Sequence, residues 1–151
     1  MVNQAINEYQ PDYAVYPGEV LSYELELRGM SQQELAKRTG LSAKHIVAVV
    51  KAKSAITPKT AIKLERALGM PADYWLKLES QYQETLARLS EEEQLNHDLD
   101  WLTHIPVTAM IKMGWLKKHK NKIDQLVEVL RFFGIASVDQ WDDMWPTLYV
   151  A

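Results

Sequence analysis

Only three residues, Gly40 to Ser42, separate two short amphipathic segments in the first half of this 151-residue chain. The first segment opens with Ser31 and carries Glu34 three residues later, which is the pattern of a capping box. Ser42 stands before the second segment in the same way, and glycine suits the left-handed backbone that ends the first. Two helices joined by so short a turn must cross steeply. The pattern therefore predicts a helix-turn-helix.

Helical periodicity continues along the chain, and no segment alternates in the manner of a strand. Capping residues, prolines and glycines bound helices at about 19–28, 31–39, 42–52, 58–68 and 71–89, the first with Val20, Leu21, Leu25 and Leu27 inward. The second capping box, at Ser90, either starts a new helix or marks a bend, and we expect a continuous helix to join the two halves of the chain. Further helices are expected at 106–114, after Asn121, and after the capping box of Ser137 with Gln140.

These boundaries predict an all-α chain in three parts. Residues 1–16 form an irregular arm, residues 17–89 a helix-turn-helix domain, and residues 90–151 an all-α C-terminal unit. The absence of cysteine excludes disulfides and thiolate metal sites. No apolar run approaches the roughly 20 residues of a membrane span, and the N-terminus lacks the pattern of a signal peptide. We therefore expect a cytoplasmic protein with no membrane partner.

Charge is strongly segregated along the chain although its net value is only −3. Residues 30–66 hold eight basic and two acidic side chains, and residues 101–123 hold five lysines and no acid. A localised basic face attracts phosphates whatever the total charge. This distribution favours a nucleic-acid partner for the helix-turn-helix, whose second helix enters the DNA major groove in proteins that use it.

The second helix of the motif has two distinct faces on a helical wheel. Ile46, Val49, Val50 and Lys53 fall on one side, and we expect Ile46, Val49 and Val50 to pack inward. The opposite side carries two lysines that bracket two small apolar residues, with further candidates flanking them: Lys44, Lys51, Val47, Ala48, Ala43, His45 and Ser42.

Lysines and the amides of a helix N-terminus hold phosphates without reading sequence. Val47 and Ala48 suit thymine methyl groups, and Lys44 or His45 can reach a base edge. No arginine, asparagine or glutamine on this helix offers a bidentate base contact, so Gln32 and Gln33 of the preceding helix are the better hydrogen-bonding candidates. The pattern predicts salt-dependent binding of modest sequence specificity.

Other features carry alternative interpretations. The outward face of the second helix is instead an interface if Val47 and Ala48 pack against protein. The string KKHKNK is a solvated loop, or adds phosphate contacts, or binds an acidic partner. His97, Asp100 and His104 have helical metal-site spacing but lie beside Pro106, and we expect no metal and no cofactor. We expect the tryptophans of the second half to be core residues, with partner contact as the alternative: Trp101, Trp115, Trp141 and Trp145. No nucleophile elbow or phosphate loop is present, so we expect no enzyme.

Two stretches, YPGEVLSYELELRGMSQQELAKRTGLSAKHI and ITPKTAIKLERALGMPADYWLKLESQY, resemble the HigA-like antitoxins of the XRE helix-turn-helix superfamily. The resemblance covers about residues 16–83. It implies a five-helix, lambda-repressor-like DNA-binding domain that dimerises on a palindromic operator, represses its own promoter and often neutralises a neighbouring toxin. It places the groove-reading positions at Gln32, Gln33, Ser42, Ala43, Lys44, His45, Val47 and Ala48, to which charge adds Lys51 and Lys53.

The chain departs from the family at three of these places. The family commonly has a polar residue at Val47, arginine or glutamine at Ala48, and often Asn-Gly at Lys51-Ala52. The second half, LDWLTHIPVTAMIKMGWLKKHKNKIDQLVEVLRFFGIAS, looks like the segment before an ImmA/IrrE-type metallopeptidase domain, although the His-Glu-x-x-His motif of that peptidase is absent.

We therefore expect a DNA-binding transcriptional regulator of antitoxin type. It would act as a homodimer on double-stranded operator DNA, and a cognate toxin is a further candidate partner. The alternatives are a protein-interaction module with a degenerate helix-turn-helix, and the N-terminal part of a longer metallopeptidase-type regulator.

Overall fold

The computed structural model describes residues 14–145, and the regular structure in this range is entirely helical. The chain divides into two compact units, one ending at Ala87 and the other beginning at Arg88. The all-α fold is confirmed. Of the expected irregular arm, residues 1–13 lie outside the described range.

The N-terminal unit is built from five helices, the last of which continues past Ala87. Their bounds are α1 Pro17–Arg28, α2 Gln32–Thr39, α3 Ala43–Val50, α4 Pro58–Leu68 and α5 Ala72–Asp98. Prolines open α1 and α4, where the missing N–H is not needed. Helix α1 thus begins two residues before the expected Glu19, and α3 ends two residues before the expected Ala52.

Only half of the capping box at Ser31 forms. The Ser31 hydroxyl accepts a hydrogen bond from the Glu34 amide at 3.0 Å, as expected of an N-cap. The Glu34 carboxylate pairs instead with Arg38 one turn later, at 3.0 Å. The boundary of α2 is therefore set by the serine, while the glutamate stabilises the helix through an i,i+4 ion pair.

The core of the N-terminal unit draws on all five helices. Its most enclosed side chains, each no more than 1 % exposed, are Leu21, Leu35, Ile46, Ala61, Leu64 and Trp75. The expectation that Leu27 points inward is wrong, because its side chain is 64 % exposed. Leu21 and Leu25, one turn apart, already fill the buried stripe of α1, and Leu27 lies off that stripe.

No new helix begins at Ser90. Helix α5 runs without interruption from Ala72 to Asp98, since no glycine or proline breaks it and the glutamates after Ser90 are good helix formers. Leu86 and Leu89 remain 40 % and 37 % exposed on this helix. The serine and glutamate pattern that resembles a cap is therefore a solvated stretch of helix.

The C-terminal unit consists of shorter elements. A 3₁₀ helix at Leu99–His104 is followed by α6 Val107–Lys112, α7 Lys122–Phe133, a 3₁₀ turn at Val138–Gln140 and α8 Trp141–Met144. The Asn121 side chain caps α7 by accepting from the Ile123 amide at 2.8 Å. The expected capping box of Ser137 and Gln140 is present in both directions. Leu126 and Val129 of α7 are fully buried at the centre of this unit.

The tryptophans of the C-terminal unit fall into two groups. Trp101 and Trp141 are each 8 % exposed, and their rings pack edge to face at 5.2 Å. Trp145 is half-buried against Trp141. Trp115 is 57 % exposed and lies parallel to the Phe132 ring, so the expectation of a core position is wrong for this residue. Between residues 14 and 145, no helix combines the length and apolar character that crossing a membrane requires.

Candidate nucleic-acid interface

Helices α2 and α3 meet across a turn of three residues. Gly40 ends α2 with φ of 72° and donates its amide to the Ala36 carbonyl at 2.9 Å. The Ser42 hydroxyl then caps α3 by accepting from the His45 amide at 3.0 Å. Leu35 and Ile46, one from each helix, are buried in the shared core. The caps thus define where α2 ends and α3 begins, and the apolar packing of Leu35 and Ile46 holds the two helices together.

The outward face of α3 has the composition expected from the helical wheel. Ser42, Ala43, Lys44 and Lys51 are exposed to solvent, and Val47 and Ala48 are half-buried. Gln33 at the start of α2 is exposed, and Gln32 beside it is half-buried. Within the described chain, no segment covers this face completely. Eight of the ten candidate residues are therefore fully or partly accessible to solvent at α2 and α3.

Lys53 occupies a different place from the one that the helical wheel suggests. The wheel groups Lys53 with the inward residues, but α3 ends at Val50 and the chain turns before Lys53 is reached. The amides of Lys53 and Ser54 both donate to the Ala48 carbonyl, at 2.8 Å and 3.2 Å. Ala52 within this turn has φ of 59°. As a result the Lys53 side chain is exposed beside the C-terminal end of α3.

His45 is less available than its position suggests. Its ring atom Nε2 is enclosed by protein and has no hydrogen-bond partner among the described residues. A base edge therefore cannot reach this nitrogen without movement of the side chain. The expectation that His45 reads a base is restricted by this geometry to the other ring nitrogen, Nδ1.

The lysines of this surface carry uncompensated charge. Lys44, Lys51 and Lys53 form no ion pair with any residue between 14 and 145. The nearby acid of α2, Glu34, is already engaged by Arg38. Charge that is exposed and unpaired is available to an anion, and the amides at the start of α3 add to the positive potential.

Two features that position α3 are not evident from the motif. A Cβ on Gly18 would lie only 2.6 Å from the Val50 carbonyl oxygen and closer still to that of Val49, so α1 approaches the end of α3 more closely than any side chain allows. The Glu79 carboxylate of α5 accepts a hydrogen bond from the Ile56 amide at 2.6 Å, which holds the loop after α3. Gly18 follows Pro17, a pair that in a sequence indicates only the start of a helix. Sequence reasoning therefore missed its role in the close approach of α1 to α3.

The alternative metal site is not formed. Among residues 14–145, no three histidine, aspartate or glutamate side chains are close enough to hold an ion. The helical spacing of His97, Asp100 and His104 is lost because α5 ends at Asp98 and a 3₁₀ helix follows. With three residues per turn, Asp100 and His104, four residues apart, no longer share a face as they would in an α-helix.

Comparison with known proteins gives a family match that includes this surface. The family model described as "Helix-turn-helix" matches residues 21–75. Virulence-associated protein I of Dichelobacter nodosus is 34% identical over 80 residues, which are 52% of this chain and 74% of that protein.

Solved structures agree with the family match. An addiction module antidote protein of the HigA family from Coxiella burnetii is 28% identical, with a TM-score of 0.52 over 56% of this chain and 94% of its own. The antitoxin HigA of Pseudomonas aeruginosa, solved with the higBA promoter, is 29% identical, with a TM-score of 0.53 over 57% of this chain and 95% of its own.

Proposed function

The chain belongs to the XRE-type helix-turn-helix family, and from this premise we propose that it is a DNA-binding transcriptional regulator of the HigA-like antitoxin kind. The observation that carries the proposal is the outward face of α3, where exposed and unpaired lysines border small apolar residues. The Pseudomonas aeruginosa relative was solved with promoter DNA, which supports duplex DNA as the ligand. Action on an operator places the protein in the cytoplasm, in a binding role without catalysis.

Phosphate contacts supply most of the affinity in this proposal. Lys44, Lys51 and Lys53 neutralise backbone phosphates, and the amides at the N-terminus of α3 add a further contact. Each lysine acts as a point charge and therefore fixes the position of the protein on the duplex without distinguishing bases.

Recognition of DNA bases is limited by the side chains that α2 and α3 present. Val47 and Ala48 can contact thymine methyl groups, and Gln33 with Gln32 can hydrogen-bond to adenine edges from the start of α2. A polar residue is commonly found at these α3 positions in the family, so this chain has fewer hydrogen bonds to bases. We therefore expect a modest ratio of specific to non-specific affinity.

Two copies of the chain complete the proposed assembly. A homodimer on a palindromic operator would place the two α3 helices in successive major grooves, about 34–36 Å apart. Binding of a cognate toxin is a further part of the proposal, which the HigA relatives support. Co-purification with the product of a neighbouring small reading frame would test it.

Fluorescence anisotropy with the chain's own upstream DNA and a scrambled duplex tests DNA binding directly. Lys44→Ala and Lys51→Ala should each weaken both duplexes about fivefold to tenfold at 0.1 M salt, because each removes about one phosphate contact. Gln33→Ala should weaken only the upstream DNA. Lys77→Ala is the control, since Lys77 pairs with Asp73 on α5 at 2.9 Å.

Two results would contradict this assignment. Unchanged affinity of Lys44→Ala and Lys51→Ala for both duplexes would remove α3 from the interface. If Lys44→Ala lost affinity for the upstream DNA alone and kept its affinity for the scrambled duplex, Lys44 would contact a base instead of a phosphate.

A further inference from the structure

The second basic segment of the chain is an ordered loop in the C-terminal unit. This lysine loop, residues 117–122, is fastened to α7 by two side chains. The Gln125 amide group accepts from the His119 amide at 2.9 Å and donates to the Lys117 carbonyl at 3.1 Å. The Glu128 carboxylate accepts from the Lys117 amide at 3.0 Å and pairs with the His119 ring. Gln125 is 8 % exposed, so the loop is anchored on a buried polar group.

The lysines of the lysine loop form no ion pair with any described residue, although the Lys117 charge acts on the nearby Glu128 carboxylate. Lys117, Lys118, Lys120 and Lys122 are all exposed, and none forms an ion pair within the part of the chain that is described. Glu128, whose carboxylate lies against the loop, is already occupied by His119 and by the Lys117 backbone.

Holding four like charges together is unfavourable unless an anion compensates them. A mobile loop would let the lysines separate in solvent, whereas the hydrogen bonds from Gln125 and Glu128 keep their backbone in one arrangement. An ordered cluster of unpaired cations is therefore prepared for a ligand with several negative charges at once.

The side-chain chemistry favours a phosphate backbone over an acidic protein. Residues 101–123 contain five lysines and no arginine. Arginine pairs bidentately with carboxylates and phosphates alike, whereas lysine acts as a point charge that needs no fixed geometry and suits phosphates spaced along a strand. A duplex also offers many equivalent phosphates, so several lysines can be neutralised together without base recognition.

We propose that the lysine loop is a second DNA-binding surface, which contacts backbone phosphates of duplex DNA independently of sequence. This inference rests on the proposed function of the helix-turn-helix and extends it to the C-terminal unit. The loop adds affinity and salt dependence to operator binding and leaves the choice of sequence to α2 and α3.

Binding of the full chain to a duplex at several salt concentrations tests the proposal. Lys118→Ala and Lys120→Ala should each reduce the slope of log affinity against log salt by about one and weaken binding about fivefold to tenfold at 0.1 M salt. The reduction in slope and the loss of affinity should each be the same for upstream and scrambled DNA. Lys77→Ala is the matched control for one lost positive charge and should leave the slope unchanged. Poly-glutamate serves as the competing acidic polymer.

The outcomes separate this proposal from the proposed function. A normal slope in Lys118→Ala and Lys120→Ala, together with a reduced slope in Lys44→Ala, would overturn the lysine loop alone. A normal slope in Lys44→Ala with reduced slopes in the loop variants would overturn the role of α3 and leave the loop. Binding of poly-glutamate that equals duplex binding and is lost in the loop variants would assign the loop to an acidic protein and overturn the DNA proposal.

Discussion

Ala52 holds a backbone conformation that alanine rarely adopts. Its φ of 59° is the one positive value at a non-glycine residue between 14 and 145. The left-handed region costs an L-residue about 1–2 kcal/mol, and glycine escapes this cost but loses more entropy on folding. The family often has Asn-Gly where this chain has Lys51-Ala52, which agrees with the demand of the turn.

Ala52→Gly should therefore stabilise the protein by about 0.5–1 kcal/mol, measured as a higher urea midpoint. Ala55→Gly is the control, since Ala55 is exposed in the same loop and has no positive φ. That variant should be neutral or slightly destabilised. Equal effects of the two substitutions would show that Ala52 carries no strain.

Gly18 is required for a different reason, since the close approach of α3 leaves no room for a side chain at this position. A methyl group at this position would meet the carbonyl oxygens of Val49 and Val50, which are backbone atoms and cannot rotate away. Gly18→Ala should destabilise the fold by about 2–3 kcal/mol, since α1 must move off α3. Urea unfolding should show this loss, while the exposed neighbour Glu19→Ala should remain near the wild type.

At the scale of elements, the cap of α3 combines stability with access to DNA. Ser42→Ala removes the acceptor of the His45 amide and should cost about 1 kcal/mol. Ser42→Asp keeps a capping oxygen but places a negative charge where we expect a phosphate. That variant should retain stability and lose DNA affinity. Circular dichroism melts and anisotropy titrations of both variants separate the two roles, and full affinity in Ser42→Asp would remove Ser42 from the interface.

The attachment of the lysine loop to α7 should depend on pH. The hydrogen bond from the Lys117 amide, followed by the interaction with His119, holds the pKa of Glu128 below its ordinary value of 4.5. Because the folded-state pKa is the lower one, the stabilisation is complete above pH 4.5 and is lost as the pH falls through the lowered value.

Glu128→Gln should accordingly be less stable than the wild type at about pH 7, with the difference shrinking toward about pH 3. Urea midpoints at the two pH values measure the difference. Glu93→Gln, exposed on α5, controls for the change in net charge. A gap that stays constant with pH would mean that the Glu128 charge contributes nothing to the loop.

At the scale of the whole molecule, the two units have separate apolar cores. Leu64 belongs to the core of the N-terminal unit, and Leu126 belongs to that of the C-terminal unit. We predict that Leu64→Ala destabilises its own unit by about 2–5 kcal/mol. Hydrogen exchange should then accelerate in α1 to α4 and remain unchanged in α7, and Leu126→Ala should do the reverse. Acceleration throughout by either variant would show that the chain unfolds as one cooperative body.

Local sequence signals were sufficient to predict the helices of the N-terminal unit. Serine caps, prolines in first turns and glycines after last turns act within a few residues, so they mark helix boundaries in the sequence itself. The wheel of α3 predicted which side chains are exposed because burial of Ile46 and Val49 leaves the other face free. The same reasoning failed at Leu27, where packing of Leu21 and Leu25 fills the buried stripe of α1 and leaves Leu27 exposed.

The amino-acid pattern alone was sufficient for the existence of the helices, the turn between α2 and α3, and the outward position of Lys44 and Lys51, because caps and periodicity are short-range properties. Tertiary packing was needed for the close approach of Gly18 to α3, the enclosure of His45 Nε2 and the hydrogen bonds of Gln125 and Glu128 to the lysine loop. Each of these depends on atoms brought together from separate parts of the chain, and no spacing rule encodes such distances.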